Sequence, residues 1–156
     1  MSAVEAKLAE LGLTLPEVAA PVAAYVPAVL DGDRVWTSGQ LPFVDGALPV
    51  AGRVGNGDGL VDPAEAARLA RLCALNALAA AGSVLDDLDR ITRVIKLVGF
   101  VASDAAFTGQ PLVINGASEL LGQVFEGAGG HARSAVGVAA LPLGAPVEVE
   151  VVFSLS

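Results

Sequence analysis

Residues 131–153 read HARSAVGVAALPLGAPVEVEVVF, and this stretch decides the fold. Its two halves, Ser134–Ala139 and Val147–Phe153, are rich in valine, and prolines and a glycine lie between them. In the second half, Glu148 and Glu150 share one side of an extended chain, while the valines beside them share the other. The stretch therefore predicts two strands of a sheet, one of which carries an acidic face.

Arg133 stands at the entry to the first of these strands. A buried guanidinium is costly unless a carboxylate or several acceptors satisfy it. Its fork matches a carboxylate through two parallel hydrogen bonds. The residues alone leave two interpretations open: Arg133 forms a structural salt bridge with Glu148 or Glu150, or it holds the carboxylate of a small ligand.

Two helices and a further strand are predicted upstream. The segment Asp62–Ala81 opens with an N-cap aspartate and a proline and stops before a glycine, which is typical of a helix. The small side chains along one face of it permit close packing; they are Ala67, Ala70, Ala74, Ala77 and Ala81. Ile91–Val101 is rich in β-branched residues and predicts a central strand, and Gln110–Phe125 predicts a second helix.

The N-terminal third predicts a hairpin and a long loop. Ala23–Leu30 and Arg34–Ser38 flank an Asp-Gly turn, which is a strong hairpin signal. Glycine, proline and aspartate in Val44–Leu60 favour turns over regular structure. Residues 1–22 form an N-terminal extension in which Ala3–Leu11 has the apolar spacing of a short helix.

The order of elements is hairpin, helix, strand, helix and two strands, which predicts an α+β fold with the helices on one face of the sheet. No repeat and no linker separates two apolar halves, so residues 1–156 are expected to form a single domain. The other face of the sheet then needs cover, and a closed homo-oligomer would supply it.

The composition favours a cytoplasmic protein with neither a membrane span nor a nucleic-acid partner. Apolar residues make up 54% of the chain, yet uncharged stretches such as Leu72–Leu85 are shorter than the roughly 18 residues that a spanning helix needs. Met1–Leu13 contains charged residues and lacks the pattern of a signal peptide. The net charge of −8 repels nucleic-acid phosphate.

Several familiar sites are excluded by composition. Cys73 is the only cysteine and the chain has one histidine, so neither a disulfide nor a cysteine-based zinc site is expected. Gly55–Gly59 lacks the lysine of a phosphate-binding loop. Neither Ser118 nor Ser134 has a histidine at motif spacing, so a nucleophilic triad through His131 is not predicted. No metal and no cofactor are expected.

Three motifs occur in a fixed order along the chain. The first is Thr37–Pro42, TSGQLP, with Tyr25 upstream of it. The second is Val113–Asn115, and the third is ARS followed by LP and VEVE. In this combination they resemble the motifs of the Rid family, also called the YjgF or reactive intermediate deaminase family. The match runs from Tyr25 to the C-terminus.

The resemblance implies a chorismate-mutase-like fold with a mixed sheet, assembled as a homotrimer with clefts between its subunits. Family members with the full site hydrolyse enamines and imines, such as 2-aminoacrylate and 2-iminopropanoate, to the keto acid and ammonia without a cofactor. The expected activity is therefore that of an enamine or imine deaminase with a small carboxylate-bearing substrate. The alternative is a module that binds or senses small carboxylates such as keto acids.

The resemblance also implies roles for single residues. Arg133 corresponds to the arginine that holds the substrate carboxylate, and Glu148 to the acid that positions water. The expected substrate-binding neighbours are Tyr25, Ser38, Gly39, Asn115 and Ala135. Each has a structural alternative: the tyrosine packs on the hairpin, the asparagine serves a helix turn, the serine and glycine form a bulge, and the glutamate is a solvated acid.

Two departures from the family pattern indicate a divergent branch. Active members often carry cysteine two residues after the arginine, where this chain has Ala135, and an acid two residues further, where it has Gly137. Loss of the thiol need not abolish hydrolysis, because water can be the nucleophile. Backbone groups near Gly39 and Ala135 are expected to stabilise the developing charge.

Overall fold

The computed structural model describes residues 1–21 and 23–156. Val22, the last residue of the predicted N-terminal extension, lies outside the described residues. The helices are α1 (Ala3–Glu10), α2 (Pro63–Gly82) and α3 (Gln110–Phe125). The strands are β1 (Ala28–Asp31), β2 (Arg34–Thr37), β3 (Ile91–Ala102), β4 (Ala132–Val138) and β5 (Val147–Leu155). Short 3-10 turns lie at Leu88–Arg90, Glu126–Gly129 and Pro142–Gly144.

The five strands form one mixed sheet in the order β1-β2-β5-β3-β4. Only β3 and β4 are parallel, and α3 makes the crossover that parallel neighbours require. The middle strand is β5, whose odd-numbered residues from Val147 to Leu155 are buried while Glu148 and Glu150 lie half-buried on the other face. The predicted α+β class and the predicted acidic face of this strand are confirmed, and β3 is an interior strand as expected.

The two long helices pack against each other, and α2 covers the buried face of β5 while α3 packs on β3 and β4. As predicted, the carboxylate of Asp62 caps α2 by accepting a hydrogen bond from the Ala64 N–H at 2.8 Å. Four of the five alanines on the small face of α2 are buried and Ala67 is half-buried, and a Cβ on Gly116 of α3 would lie only 1.9 Å from the Ala67 carbonyl oxygen. The helices therefore touch backbone to backbone. None of the described helices has the length and hydropathy that crossing a bilayer requires.

The first strand of the hairpin is shorter than predicted. Residues 23–27 are not part of a strand and consist mostly of bends, and β1 begins at Ala28. Pro27 has no N–H to donate to a sheet, and its carbonyl oxygen accepts a hydrogen bond from the Ser38 N–H that closes the end of the hairpin. The turn itself forms as predicted, with Gly32 at a positive φ of 59°.

The N-terminal helix is packed rather than loose. The carboxylate of Asp89 accepts hydrogen bonds from the N–H groups of Ala3 and Val4, and the side chain of Ser2 caps the same helix end. Val4 and Leu8 are buried in the core. The extension therefore adds to the same hydrophobic core as the sheet and the long helices.

The face of the sheet that carries the two glutamates is not covered by the residues that the structure describes. The strand register puts Val29, Trp36 and Val152 in one row across it, and Phe100 and Val136 in another. Trp36 is 50% exposed and Val136 43% exposed. Apolar surface of this kind usually marks an interface. We call it the open face; its cover by further copies of the chain stays a prediction.

Candidate functional site

Arg133 reaches from the edge strand β4 to the first turns of α3. It lies opposite Leu97 in the register, so its side chain projects to the helix-covered side of the sheet. Its Nη1 donates to Asn115 Oδ1 at 2.7 Å and to Ser118 Oγ at 3.3 Å, and its Nη2 donates to the Pro111 carbonyl oxygen at 3.3 Å. Three groups of one helix thus hold the guanidinium in place.

No carboxylate neutralises this guanidinium among the residues that the structure describes. The salt bridge to Glu148 or Glu150 is wrong as an interpretation, because those side chains lie on the opposite face of the sheet. A guanidinium has five N–H donors, and three are engaged by α3. Within the described chain, the Nε hydrogen and one Nη2 hydrogen are left without an acceptor.

Ser118 and His131 form a pair beside Arg133 that sequence spacing did not predict. Ser118 Oγ lies 2.9 Å from His131 Nε2, and His131 Nδ1 lies 2.5 Å from the Gly129 carbonyl oxygen. The turn at Glu126–Gly129 reverses the chain between α3 and β4 and brings the two side chains together. Because this closeness depends on a glycine-rich turn and not on a fixed spacing, no sequence motif signalled it. We call Asn115, Ser118, His131 and Arg133 the arginine cluster.

A second group forms where the chain leaves β2. The Thr37 hydroxyl accepts a hydrogen bond from the Val151 N–H, and strand pairing resumes when Gln40 exchanges two backbone hydrogen bonds with Val149. Ser38 and Gly39 are the residues between, and the Ser38 hydroxyl donates to the Val26 carbonyl oxygen at 2.5 Å. The geometry of this serine therefore agrees with the bulge alternative, in which its side chain serves the backbone.

The carboxyl group of Glu148 lies over Gly39. A Cβ at residue 39 would come within 2.0 Å of Glu148 Oε1, so any larger residue would require the carboxyl group to move. Burial of the Glu148 carboxyl raises its pKa above the ordinary value, and the charge of Glu150 raises this pKa further. This acid is therefore half-buried rather than freely solvated.

Tyr25 lies in the bend before β1 and is 44% exposed. It lines a shallow recess together with Gly39, Gln40 and Phe43. We call Tyr25, Ser38, Gly39 and Glu148 the glutamate cluster.

The two departures from the family pattern lie along β4 on the same side as Arg133. Ala135 is half-buried against the core, next to the arginine cluster. At Gly137 a Cβ would come within 2.7 Å of the Gln110 side-chain nitrogen, and that amide donates to Ser103 Oγ and to the Phe107 carbonyl oxygen. The Gln110 amide therefore takes the space that a side chain at residue 137 would use.

The expected site residues thus fall into two clusters that one chain does not bring together. Arg133 and Asn115 lie on the helix-covered side of the sheet at the edge strand β4, while Glu148 projects from the open face near the end of β2. Across the described residues, no three histidine, cysteine or acidic side chains are grouped to hold a metal ion. Cys73 is buried, and burial raises the pKa of its thiol, so it is not a nucleophile in this fold.

Comparison with known proteins places the chain among proteins of the same fold. A family model described as "YjgF/chorismate mutase-like, putative endoribonuclease" matches residues 5–154. Protein TCP17 of Trypanosoma cruzi is 45% identical over 154 residues, which are 98% of this chain and 94% of that protein. The crystal structure of Atu1372 from Agrobacterium tumefaciens, of unknown function, is 47% identical with a TM-score of 0.90, covering 99% of this chain and 93% of that one. E. coli TdcF with bound serine is 26% identical with a TM-score of 0.61, covering 90% of this chain and 94% of that one.

Proposed function

The chain belongs to the YjgF/chorismate mutase-like family, and from this premise we propose that it hydrolyses imines and enamines derived from amino acids to the keto acid and ammonia. The substrate class is a small molecule with a carboxylate beside the reacting carbon. Arg133 holds that carboxylate, and no cofactor takes part.

The observation that carries the proposal is the state of Arg133. Its guanidinium is partly buried, is fixed by Asn115, Ser118 and Pro111, and has no carboxylate partner in the described chain. A partly buried cation with donors left over can bind an anion, and the fork suits a carboxylate in particular. The bound serine in the related TdcF is a small molecule of this chemical class.

The separation of the two clusters favours a cleft that two subunits share. Arg133 stands at the exposed edge strand β4, and Glu148 stands on the open face. If copies associate through the open face as a closed homotrimer, Glu148 of one copy can approach Arg133 of its neighbour. In that cleft Glu148 orients the attacking water, and backbone groups near Gly39 and Ala135 stabilise the developing charge. Tyr25 and Ser38 border the same cleft.

RNA cleavage is the activity that the family description names. A protein that binds RNA must neutralise phosphates with basic residues, whereas this chain carries a net charge of −8. The charge favours a small substrate over RNA, and salt-dependent RNA binding by the purified protein would contradict this choice.

The proposal is tested by measuring ammonia release from 2-iminopropanoate and related imines generated in the assay. We expect Arg133→Ala to lose roughly 2 to 5 kcal/mol of substrate binding and Arg133→Lys to be severely impaired, because an ammonium group cannot form the fork. Arg90→Ala is the control, since Arg90 pairs with the exposed Asp86 far along the chain from either cluster. Retained hydrolysis by Arg133→Ala would refute the assignment.

The same measurements distinguish the alternative of a binding or sensing module. Titration with pyruvate, followed by calorimetry, reports carboxylate binding without turnover. Tight binding that depends on Arg133, together with no ammonia release from several amino-acid-derived imines, would establish the binding module instead.

A further inference from the structure

Asn76 on α2 is a buried amide whose side-chain oxygen has no hydrogen-bond partner among the described residues. Only 5% of Asn76 is exposed. Its Nδ2 donates to the carbonyl oxygens of Leu41 at 2.9 Å and of Phe43 at 3.1 Å, which engages both hydrogens of this nitrogen. The orientation of the amide follows from these contacts, because only its nitrogen can donate to two carbonyl oxygens. Oδ1 therefore lies at the other end of the amide as an acceptor that no described donor reaches.

The unpartnered oxygen of Asn76 opens onto a cavity. Among the described residues, every side-chain nitrogen or oxygen that is closed off from solvent has a hydrogen-bond partner. Asn76 Oδ1 has none, so it borders space that a small molecule can enter. Asn76 lines such a space, with a volume of about 510 Å³, which falls within the range of roughly 300 to 1,000 Å³ that is typical of small-molecule sites. We call it the Asn76 cavity.

Three segments of the chain line the Asn76 cavity. Helix α2 contributes Leu72 and Leu75 beside the amide, the turn after β2 contributes residues 43–46, and the N-terminal extension contributes residues 16–20. Leucine, valine, phenylalanine, proline and alanine side chains make most of this lining apolar. The cavity thus has the composition of a binding site, in which an apolar surface surrounds a few polar groups that fix the orientation of a ligand.

The polar groups of the Asn76 cavity favour a cation that donates hydrogen bonds. Its charged lining residues are Glu17 and Asp45, both exposed acids, and no described lining residue is basic. Two carboxylates attract a cation and repel an anion. Asn76 Oδ1 accepts hydrogen bonds and donates none. A protonated amine meets both conditions, because it is positively charged and its N–H groups donate.

We propose that the Asn76 cavity binds a small amine with an apolar body. The ammonium group donates to Asn76 Oδ1 and is attracted by Glu17 and Asp45, while the apolar body packs on Leu72 and Leu75. This site goes beyond the proposed hydrolysis, because it shares no residue with the arginine cluster or the glutamate cluster. No sequence motif indicated it, since the cavity forms where three segments that are distant in sequence meet.

Titration of the full chain with three probes tests the class of ligand. The probes share a phenylethyl body and differ in the polar end: 2-phenylethylamine, 2-phenylethanol and 3-phenylpropanoate. ¹H–¹⁵N NMR follows the backbone amides of residues 43–46 and the side-chain NH₂ group of Asn76, so a carboxylate held by Arg133 instead is not counted. We expect the amine to saturate these shifts with a Kd below about 1 mM and the alcohol to bind about tenfold more weakly. The acid should leave these signals unchanged.

Variants that remove the exposed charges test the electrostatic part of the site. Glu17→Gln and Asp45→Asn each remove one carboxylate, and asparagine tolerates the positive φ of 50° at residue 45. We expect the double variant to bind the amine about threefold or more weakly and the alcohol as wild type does. Asp31→Asn is the matched control, because Asp31 is an exposed acid on β1 that does not line the cavity.

Asn76→Ala tests the acceptor itself. It removes Oδ1 but also the donors to Leu41 and Phe43, so the spectrum of the variant is first compared with that of wild type to establish that it folds. A folded variant should bind the amine about tenfold or more weakly. If it does not fold, the double charge variant and the three probes decide.

Three outcomes would overturn the amine site. These are equal affinity for the amine and the alcohol, unchanged affinity for the amine in the double charge variant, and no shift at residues 43–46 with millimolar 2-phenylethylamine. None of these measurements depends on turnover. A failure of ammonia release would therefore refute the proposed hydrolysis and leave the amine site standing, and the reverse holds as well.

Discussion

Gly39 has no side chain, and this absence determines where the Glu148 carboxyl group lies. Glycine at residue 39 leaves room for the carboxyl group in this position, because a Cβ there would lie 2.0 Å from Glu148 Oε1. In this position the carboxyl is half-buried, it has Glu150 two residues away on the same face, and no cation pairs with it among the described residues. Burial, and then the charge of Glu150, disfavour the ionised form and raise the pKa of Glu148. The fold thus holds a carboxylate at a cost in stability.

Because ionised Glu148 destabilises the fold, the stability of the protein is expected to depend on pH. The pKa of Glu148 lies above its ordinary value of 4.5 in the folded chain, so the folded state binds this proton more tightly than the unfolded state. The contribution of protonated Glu148 to folding stability is fully present below pH 4.5, and it is lost as the pH rises through the pKa of Glu148 in the folded state. We expect Glu148→Gln to remove this loss, so that its Tm exceeds that of wild type by more at pH 7 than at pH 4.

The comparison variant is Glu150→Gln, which keeps Glu148 but removes the second cause of the raised pKa. Glu150→Gln should also lessen the loss of stability between pH 4 and pH 7, but by less than Glu148→Gln does. Thermal unfolding curves of the three proteins across this pH range provide the measurement. A constant difference in Tm between wild type and Glu148→Gln at all pH values would contradict the prediction.

At the scale of single residues, the sequence indicated the candidate site residues, but it did not predict their hydrogen-bond partners. The cost of burying Arg133 was evident from its setting, but the partner is Asn115 and not a glutamate. Which side of the sheet Arg133 faces depends on the register of β4 against β3, and no local pattern encodes that register. The Ser118–His131 pair depends on the path of the glycine turn for the same reason.

Among the elements, the packing of α2 on α3 depends on Gly116. A Cβ at this position would lie 1.9 Å from the carbonyl oxygen of Ala67, which is backbone and cannot rotate away. The alanine face of α2 was evident in the sequence, but the glycine that meets it on α3 was not, because pairing is decided by where the helices cross. The first strand was predicted to begin too early. Pro27 ends the strand pairing, although the valine and tyrosine before it favour a strand.

Gly116→Ala should therefore destabilise the protein, although alanine is the better helix former. Alanine gains about 1 kcal/mol of helix propensity over glycine, but forcing the helices apart costs more, and we expect a net loss of roughly 1 to 3 kcal/mol. Gly122→Ala is the matched control on the same helix, because nothing lies within 4 Å of a Cβ there. It should stabilise by up to about 1 kcal/mol. Urea unfolding of both variants measures the difference, and effects of the same sign would count against this account of the packing.

On the scale of the whole molecule, the two faces of the sheet differ. One face is sealed by α2 and α3, with valines of β5 that are fully buried. The open face presents Trp36, Val29 and Val136. The sequence predicted this asymmetry, since two helices cover only one side of five strands. It did not predict what covers the other side, because that depends on surfaces that meet between molecules.

We therefore expect the open face to be the surface through which copies of the chain associate, and Trp36→Glu to shift the protein toward monomer. Trp36 is 50% exposed in the single chain, and a charge at the centre of an apolar interface has no partner and must be desolvated. Val44→Glu is the control, because Val44 is 45% exposed but belongs to the loop after β2. Light scattering coupled to size-exclusion chromatography gives the mass of each.

The same variant connects assembly to activity. Arg133 and Glu148 lie on opposite faces within one chain, so a site that uses both exists only between copies. Monomeric Trp36→Glu should then lose ammonia release, although its arginine cluster is complete. If the monomer forms and turnover persists, one chain suffices and Glu148 is not part of the site.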